Sequence, residues 1–99
     1  MTRRKKYSDL PFGATIEQLM ADSGLTYRGL AGKTRLSAGY LNHLVHGNRP
    51  VPSKDVVERL AAALEVDPEH FQEYRLRVIT DRLRTRPDLI DRLYKRLSA

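Results

Sequence analysis

Five basic side chains, Arg28, Lys33, Arg35, Arg49 and Lys54, fall in a stretch of 32 residues, 23 to 54, that holds no carboxylate. Asp22 and Asp55 close the stretch on either side. Guanidinium and ammonium groups without carboxylates among them suit a polyanionic partner, because each facing carboxylate would add repulsion. A second basic run, Arg3-Arg4-Lys5-Lys6, stands near the N-terminus. The whole chain carries 18 Lys and Arg against 12 Asp and Glu, a net charge of +6. The distribution is more informative than that total, since acids and bases are interleaved outside the window.

Other chemistries find less support. His43 and His46 have the i, i+3 spacing of a metal pair, but no third ligand stands nearby in sequence. The chain has no cysteine, which excludes disulfides and thiolate zinc sites and fits an intracellular protein. No carboxylate pair, nucleophile–base set or phosphate loop is visible; Gly29-x-x-Gly32 lies in a helical pattern without the preceding strand a phosphate loop needs. An enzyme, a cofactor and a small-molecule substrate are therefore not expected. No apolar run approaches the roughly 18 residues of a membrane span, and Met1-Thr2-Arg3-Arg4 opens no signal peptide. A cytoplasmic, nucleoid-associated protein is the expectation.

Ninety-nine residues, 40% of them hydrophobic, with a mean hydropathy of −0.54, suffice for one domain with a single core. The elements read as helices throughout. Residues 1–13 form a basic arm, with Pro11 and Gly13 as breakers and Leu10 and Phe12 anchoring its end. Thr15-Ile16-Glu17-Gln18 has capping-box spacing and predicts the start of a first helix, with Ile16, Leu19 and Met20 inward and Gly24 as its left-handed stop. Thr26 caps a short second helix, with Leu30 and Ala31 inward, that ends near Lys33 or Thr34. Ser37 caps a third, with Leu41, Leu44 and Val45 inward and Gly47 at its end. After the rigid loop Arg49-Pro50-Val51-Pro52, Ser53 caps a fourth helix bearing Val56, Val57, Leu60, Ala61 and Leu64.

Asp67 and Pro68 predict the cap and first residue of a fifth helix reaching about Arg84, with Phe71, Tyr74, Val78 and Ile79 on one face. Pro87 interrupts it, and Asp88 starts a last helix carrying Leu89, Ile90, Leu93, Tyr94 and Leu97. That stripe either packs back on the chain's own core or forms a seam between two copies; a homodimer is the preferred reading. Tyr40 and Tyr74 are expected in the core, His70 on the surface, and Arg75, Arg77, Arg82, Arg84 and Arg86 on a solvated face.

Two short helices joined by a tight turn define a helix-turn-helix, and the stretch from Leu25 to Arg49 has that form. It resembles the phage-repressor and Cro-like (XRE-type) domains. Leu30-Ala31, Ser37, Tyr40-Leu41, Leu44, Gly47 and Arg49 match that pattern in order and spacing, and Ser53, Leu60-Ala61, Leu64, Val66 and Asp67 extend it. The resemblance covers residues 15–74. It implies an all-α, lambda-repressor-like DNA-binding domain of five to six helices over residues 14–74, with a C-terminal helical extension over 75–99 serving dimerisation. It further implies that helix 37–46 enters the major groove of double-stranded DNA, with Ser37 at its start and Ala38, Gly39, Asn42 and His43 toward base edges. Asn42 offers a bidentate amide to adenine, and His43 donates to guanine or phosphate. Thr26, Tyr27 and Arg28 stand beside a phosphate at the second helix's N-terminus, and Arg49 and Lys54 clamp the backbone beyond.

The chain departs from the family pattern in three ways. Tyr27 stands where Gln is frequent, Arg35 replaces the glycine of the turn at a cost of about 1 kcal/mol, and Ala38 and Gly39 are small where relatives carry long polar side chains. Direct readout then rests on about two contacts per subunit, each worth roughly 1–3 kcal/mol of discrimination. The expected function is a sequence-specific transcriptional regulator, with Arg3, Arg4, Lys5 and Lys6 as an arm reaching DNA. The alternatives are an antitoxin-type module that grips a protein partner with its C-terminal helices, and a sequence-tolerant nucleoid binder. The operator, the sign of regulation and the oligomeric state are not legible.

Overall fold

The computed structural model describes residues 6–99, among which there are six α-helices, one 3-10 turn and no strand. Helix α1 spans Phe12–Ser23, α2 Tyr27–Thr34, α3 Ala38–Val45, α4 Lys54–Ala63, α5 Gln72–Arg84 and α6 Pro87–Ser98, with the 3-10 turn at Pro68–His70. The apolar spacing of the first four helices converges on one core. Phe12, Ile16, Leu19 and Met20 from α1 meet Leu30, Leu41, Leu44 and Val45 from α2 and α3. Val57, Leu60, Ala61 and Leu64 close it from the α4 side, and Phe71 stacks on Phe12 at a centroid distance of 4.9 Å and a tilt of 47°.

The helix ends follow local chemistry where that chemistry is local. Gly24 closes α1 at φ 70°, where a side chain would be strained. The Thr26 hydroxyl accepts from the Gly29 N–H at 3.0 Å, and the Ser37 hydroxyl from the Tyr40 N–H at 3.0 Å, as N-caps do. Ser53 stands at the N-cap of α4 without capping it through its side chain.

Several expectations are corrected. Helix α1 starts three residues before Thr15, because Pro11 already has the φ of −57° that leads into a helix and Phe12 is drawn into the core. Thr15 is therefore an interior residue, buried, and its hydroxyl bonds to the carbonyls of Leu10 and Pro11 and to Ser8 Oγ at 2.8 Å. Gly13 is no breaker: a Cβ there would lie 2.5 Å from the Val45 carbonyl oxygen and 2.6 Å from that of Leu44, so this glycine lets α1 cross the end of α3 at close range. Of the two arm anchors, Phe12 is buried and Leu10 exposed. Asp67 and Pro68 start the 3-10 turn rather than α5, and α5 begins at Gln72.

His70 is buried, not on the surface. Its Nδ1 lies 3.0 Å from the Lys6 carbonyl, and its own carbonyl accepts from the Ser8 N–H at 2.8 Å. Residues 6–8 are thereby strapped across the start of α5. Arg3, Arg4 and Lys5 lie outside the described residues. Tyr40 and Tyr74 pack half-buried against the core. Position 74/75 marks no break, since α5 runs through it. Val78 and Ile79 are exposed instead of sharing an inner face with Phe71. The α6 stripe meets α5 through half-buried Leu83 and Leu89 and leaves Ile90, Leu93, Tyr94 and Leu97 exposed. The Cα radius of gyration is 15.6 Å, above the ~13 Å of a compact chain this long, as a projecting helical pair produces.

Candidate nucleic-acid interface

The inward residues of α3 determine which of its residues face out. With Leu41, Leu44 and Val45 in the core, Ala38, Gly39, Asn42, His43 and His46 are all exposed, one turn apart along the helix. The helix is rigidly terminated. The His46 N–H and the His46 Nδ1 at 2.8 Å both meet the Asn42 carbonyl, and the Asn48 N–H reaches the His43 carbonyl at 2.9 Å. His46 Nδ1 is thus engaged with its own helix end, and no cluster of metal-ligating residues exists among the described residues. The amide of Asn42 and the ring of His43 project without a hydrogen-bond partner among the described residues.

Nothing lies within 4 Å of a Cβ built on Gly39. Crowding inside the protein therefore does not require the glycine, and with Ala38 it leaves the first turn of α3 flat and open to close approach from outside.

The turn between α2 and α3 fixes their relative placement. Arg35 occupies the left-handed region at φ 62°, a conformation that costs a non-glycine residue roughly 1–2 kcal/mol. Four hydrogen bonds sustain it. The Arg35 N–H donates to the Ala31 carbonyl at 2.8 Å, the Thr34 hydroxyl joins the Leu30 carbonyl to the Leu36 N–H, and the Arg59 guanidinium of α4 donates to the Thr34 carbonyl. The role of Arg59 was not legible in the sequence, because its partner is 25 residues away and nothing in the spacing marks it.

Electrostatics sets the C-terminal helices apart from this region. A helix N-terminus carries partial positive charge, which an acidic residue in the first turn ordinarily offsets. The first turns of α4, α5 and α6 contain Asp55, Glu73 and Asp88. Those of α1, α2 and α3 contain none, and of these only α2 and α3 start inside the carboxylate-free stretch 23–54, so their positive ends stay uncompensated. Thr26 and Ser37 stand at these two ends; each uses its oxygen as a cap and retains its hydroxyl proton for a further acceptor. Arg28, Lys33, Arg35, Arg49 and Lys54 are exposed, whereas Tyr27 is half-buried against the core. Lys6 lies 3.8 Å from Glu69, at the strapped segment.

A family model described as a helix-turn-helix domain matches residues 11–74. No curated protein matches the chain. Among solved structures, the chain is similar to SinR, described as the master regulator for biofilm formation in complex with DNA, at 26% identity and a TM-score of 0.55, over 58% of this chain and 90% of that one. It is similar to the clp gene regulator ClgR from Corynebacterium glutamicum at 35% identity and a TM-score of 0.54, over 58% of this chain and 73% of that one. A further ClgR structure aligns over 83% of this chain and 84% of its own, at 26% identity and a TM-score of 0.55.

Proposed function

From membership in the helix-turn-helix domain family, to which this chain belongs through residues 11–74, we propose that it is a transcription regulator that reads double-stranded DNA with α3 in the major groove. The observation that carries this reading is the exposed α3 face beside two helix N-termini that lack acidic residues. In this reading Asn42 and His43 meet base edges, while Ala38 and Gly39 allow close approach of the helix start, Ala38 against a thymine methyl. Phosphates are met by Thr26, Tyr27 and Arg28 at the start of α2, by Ser37, and by Arg49 and Lys54 on the far side. Arg3, Arg4 and Lys5 add a basic arm, with Lys6, strapped beside Glu69, at its base. The similarity to SinR, solved with DNA, and to a gene regulator, ClgR, supports this assignment. The function is one of binding, not catalysis, and is carried out in the cytoplasm.

We further propose a homodimer that uses the α5–α6 pair. Leu76, Ile79, Ile90, Leu93 and Leu97 are exposed apolar side chains of this pair, which a second copy would cover. A two-fold axis would set two α3 helices about 34 Å apart on one face of the duplex.

Selection from random duplexes, repeated with Asn42→Ala/His43→Ala, tests the reading. An enriched motif with half-sites about 10 bp apart, lost in the variant, is the expected result. The flat Ala38–Gly39 surface favours one second reading, sequence-tolerant coating of DNA, which predicts salt-sensitive binding with no enriched motif. Absence of binding would leave a protein-partner role.

A further inference from the structure

Helix α5 buries no residue fully, yet it is fastened to the rest of the molecule by two guanidiniums two positions apart. Arg75 faces the N-terminal strap, donating to the carbonyls of Glu69 at 2.8 Å, His70 at 3.0 Å and Ser8 at 2.8 Å, and lying 4.8 Å from the centre of the Tyr7 ring. Arg77 faces the other way. Its Nη1 donates at 3.0 Å to the carbonyl of Pro52, in the loop that joins α3 to α4 and carries Arg49. Between loop and helix runs a groove of about 430 Å³ that Val51, Leu76, Arg77 and Thr80 line. The loop thus stands off from α5, and the guanidinium spans the gap.

Pro50 and Pro52 have no N–H, so this loop has few main-chain donors of its own with which to brace itself. The Pro52 carbonyl, at a buried residue, needs a donor from elsewhere. We propose that Arg77 is a positioning residue for DNA binding: it holds the 48–52 loop so that Arg49 meets the phosphate backbone. The inference rests on the reading of Arg49 as a phosphate contact. It also makes the C-terminal pair more than an appendage, because a residue of α5 sets part of the DNA-facing surface.

The test combines a double-mutant cycle with amide hydrogen exchange on the full-length protein. Affinity for a labelled duplex carrying the selected motif, or a mixed-sequence duplex if none is enriched, is measured for wild type, Arg49→Ala, Arg77→Ala and the double variant. The free proteins, with Arg75→Gln added, are followed by exchange at Asn48, Arg49 and Val51. Arg77→Ala weakens binding about fivefold, the scale of one net intramolecular hydrogen bond, and causes no further loss when Arg49 is already alanine. Exchange in the loop rises in Arg77→Ala and not in Arg75→Gln. Equal losses in both backgrounds, or unchanged loop exchange, overturn the role given to Arg77 alone. DNA affinity unaffected by Arg49→Ala overturns the phosphate reading of Arg49 and the inference with it.

Discussion

Helices α1 to α4 each place at least one side chain fully in the common core, whereas no residue of α5 or α6 is buried. The two regions are nonetheless similarly helical, and α6 has a clean apolar stripe along one side. The difference is what that stripe meets. In α1 to α4 it meets the same chain, so these helices are placed by burial. In α6 it meets α5 only at its edge, and Tyr94 and Leu97 stay 70% and 76% exposed. An amphipathic helix whose apolar face is left open points to association with something outside the chain. A stable core with an unconstrained outer face is what a reading helix needs; an open apolar face is what an assembly element needs.

This contrast can be broken by substitution. Phe71→Ala removes a fully buried ring stacked on Phe12 and is expected to cost about 3–5 kcal/mol in urea unfolding; a loss below about 1 kcal/mol would deny that Phe71 belongs to the core. Gly13→Ala forces a methyl group onto the Leu44 and Val45 carbonyls and is expected to cost about 1–3 kcal/mol. Gly39→Ala runs the other way. Its Cβ meets open space in a helix, so it gains about 0.5–1 kcal/mol of stability while weakening DNA binding. A variant that is both more stable and an equal binder would show that the flat start of α3 is not used.

Leu97→Ser, on the open stripe, is expected to change monomer stability by under about 0.5 kcal/mol while shifting the sedimentation-equilibrium mass toward the monomer. The smallest effect concerns Asp88, whose carboxyl the Arg86 fork, at 3.0 and 3.1 Å, holds below its ordinary pKa of 3.8. A lowered folded-state pKa stabilises at neutral pH and is lost as pH falls through that value. Asp88→Asn should therefore lower the melting temperature slightly at pH 7, by a difference that shrinks on acidification as the carboxyl protonates.

Much of the helix-turn-helix was legible because its signals are local. Thr26 and Ser37 bond N–H groups three residues on, and Gly24 and Gly47 take the left-handed conformations that end α1 and α3. The outward face of α3 followed from the spacing of Leu41, Leu44 and Val45. What was not legible depends on distant partners. Thr15 read as a cap until Ser8, Leu10 and Pro11 proved to hold its hydroxyl inside a helix that starts earlier. Gly13 read as a breaker because the carbonyls it accommodates are more than thirty residues away. His70, Arg75 and Arg77 read as surface residues because their partners are main-chain carbonyls, which spacing and composition do not reveal.

The most direct test of the division between a reading face and an assembly face is a titration of the ¹⁵N-labelled protein with a short duplex, followed by amide chemical shifts. Perturbations are expected to concentrate at Thr26 to Arg28, Ser37 to His43 and Arg49, with Ile90, Leu93 and Leu97 unmoved. Shifts centred on α5 and α6, with α3 silent, would contradict that division.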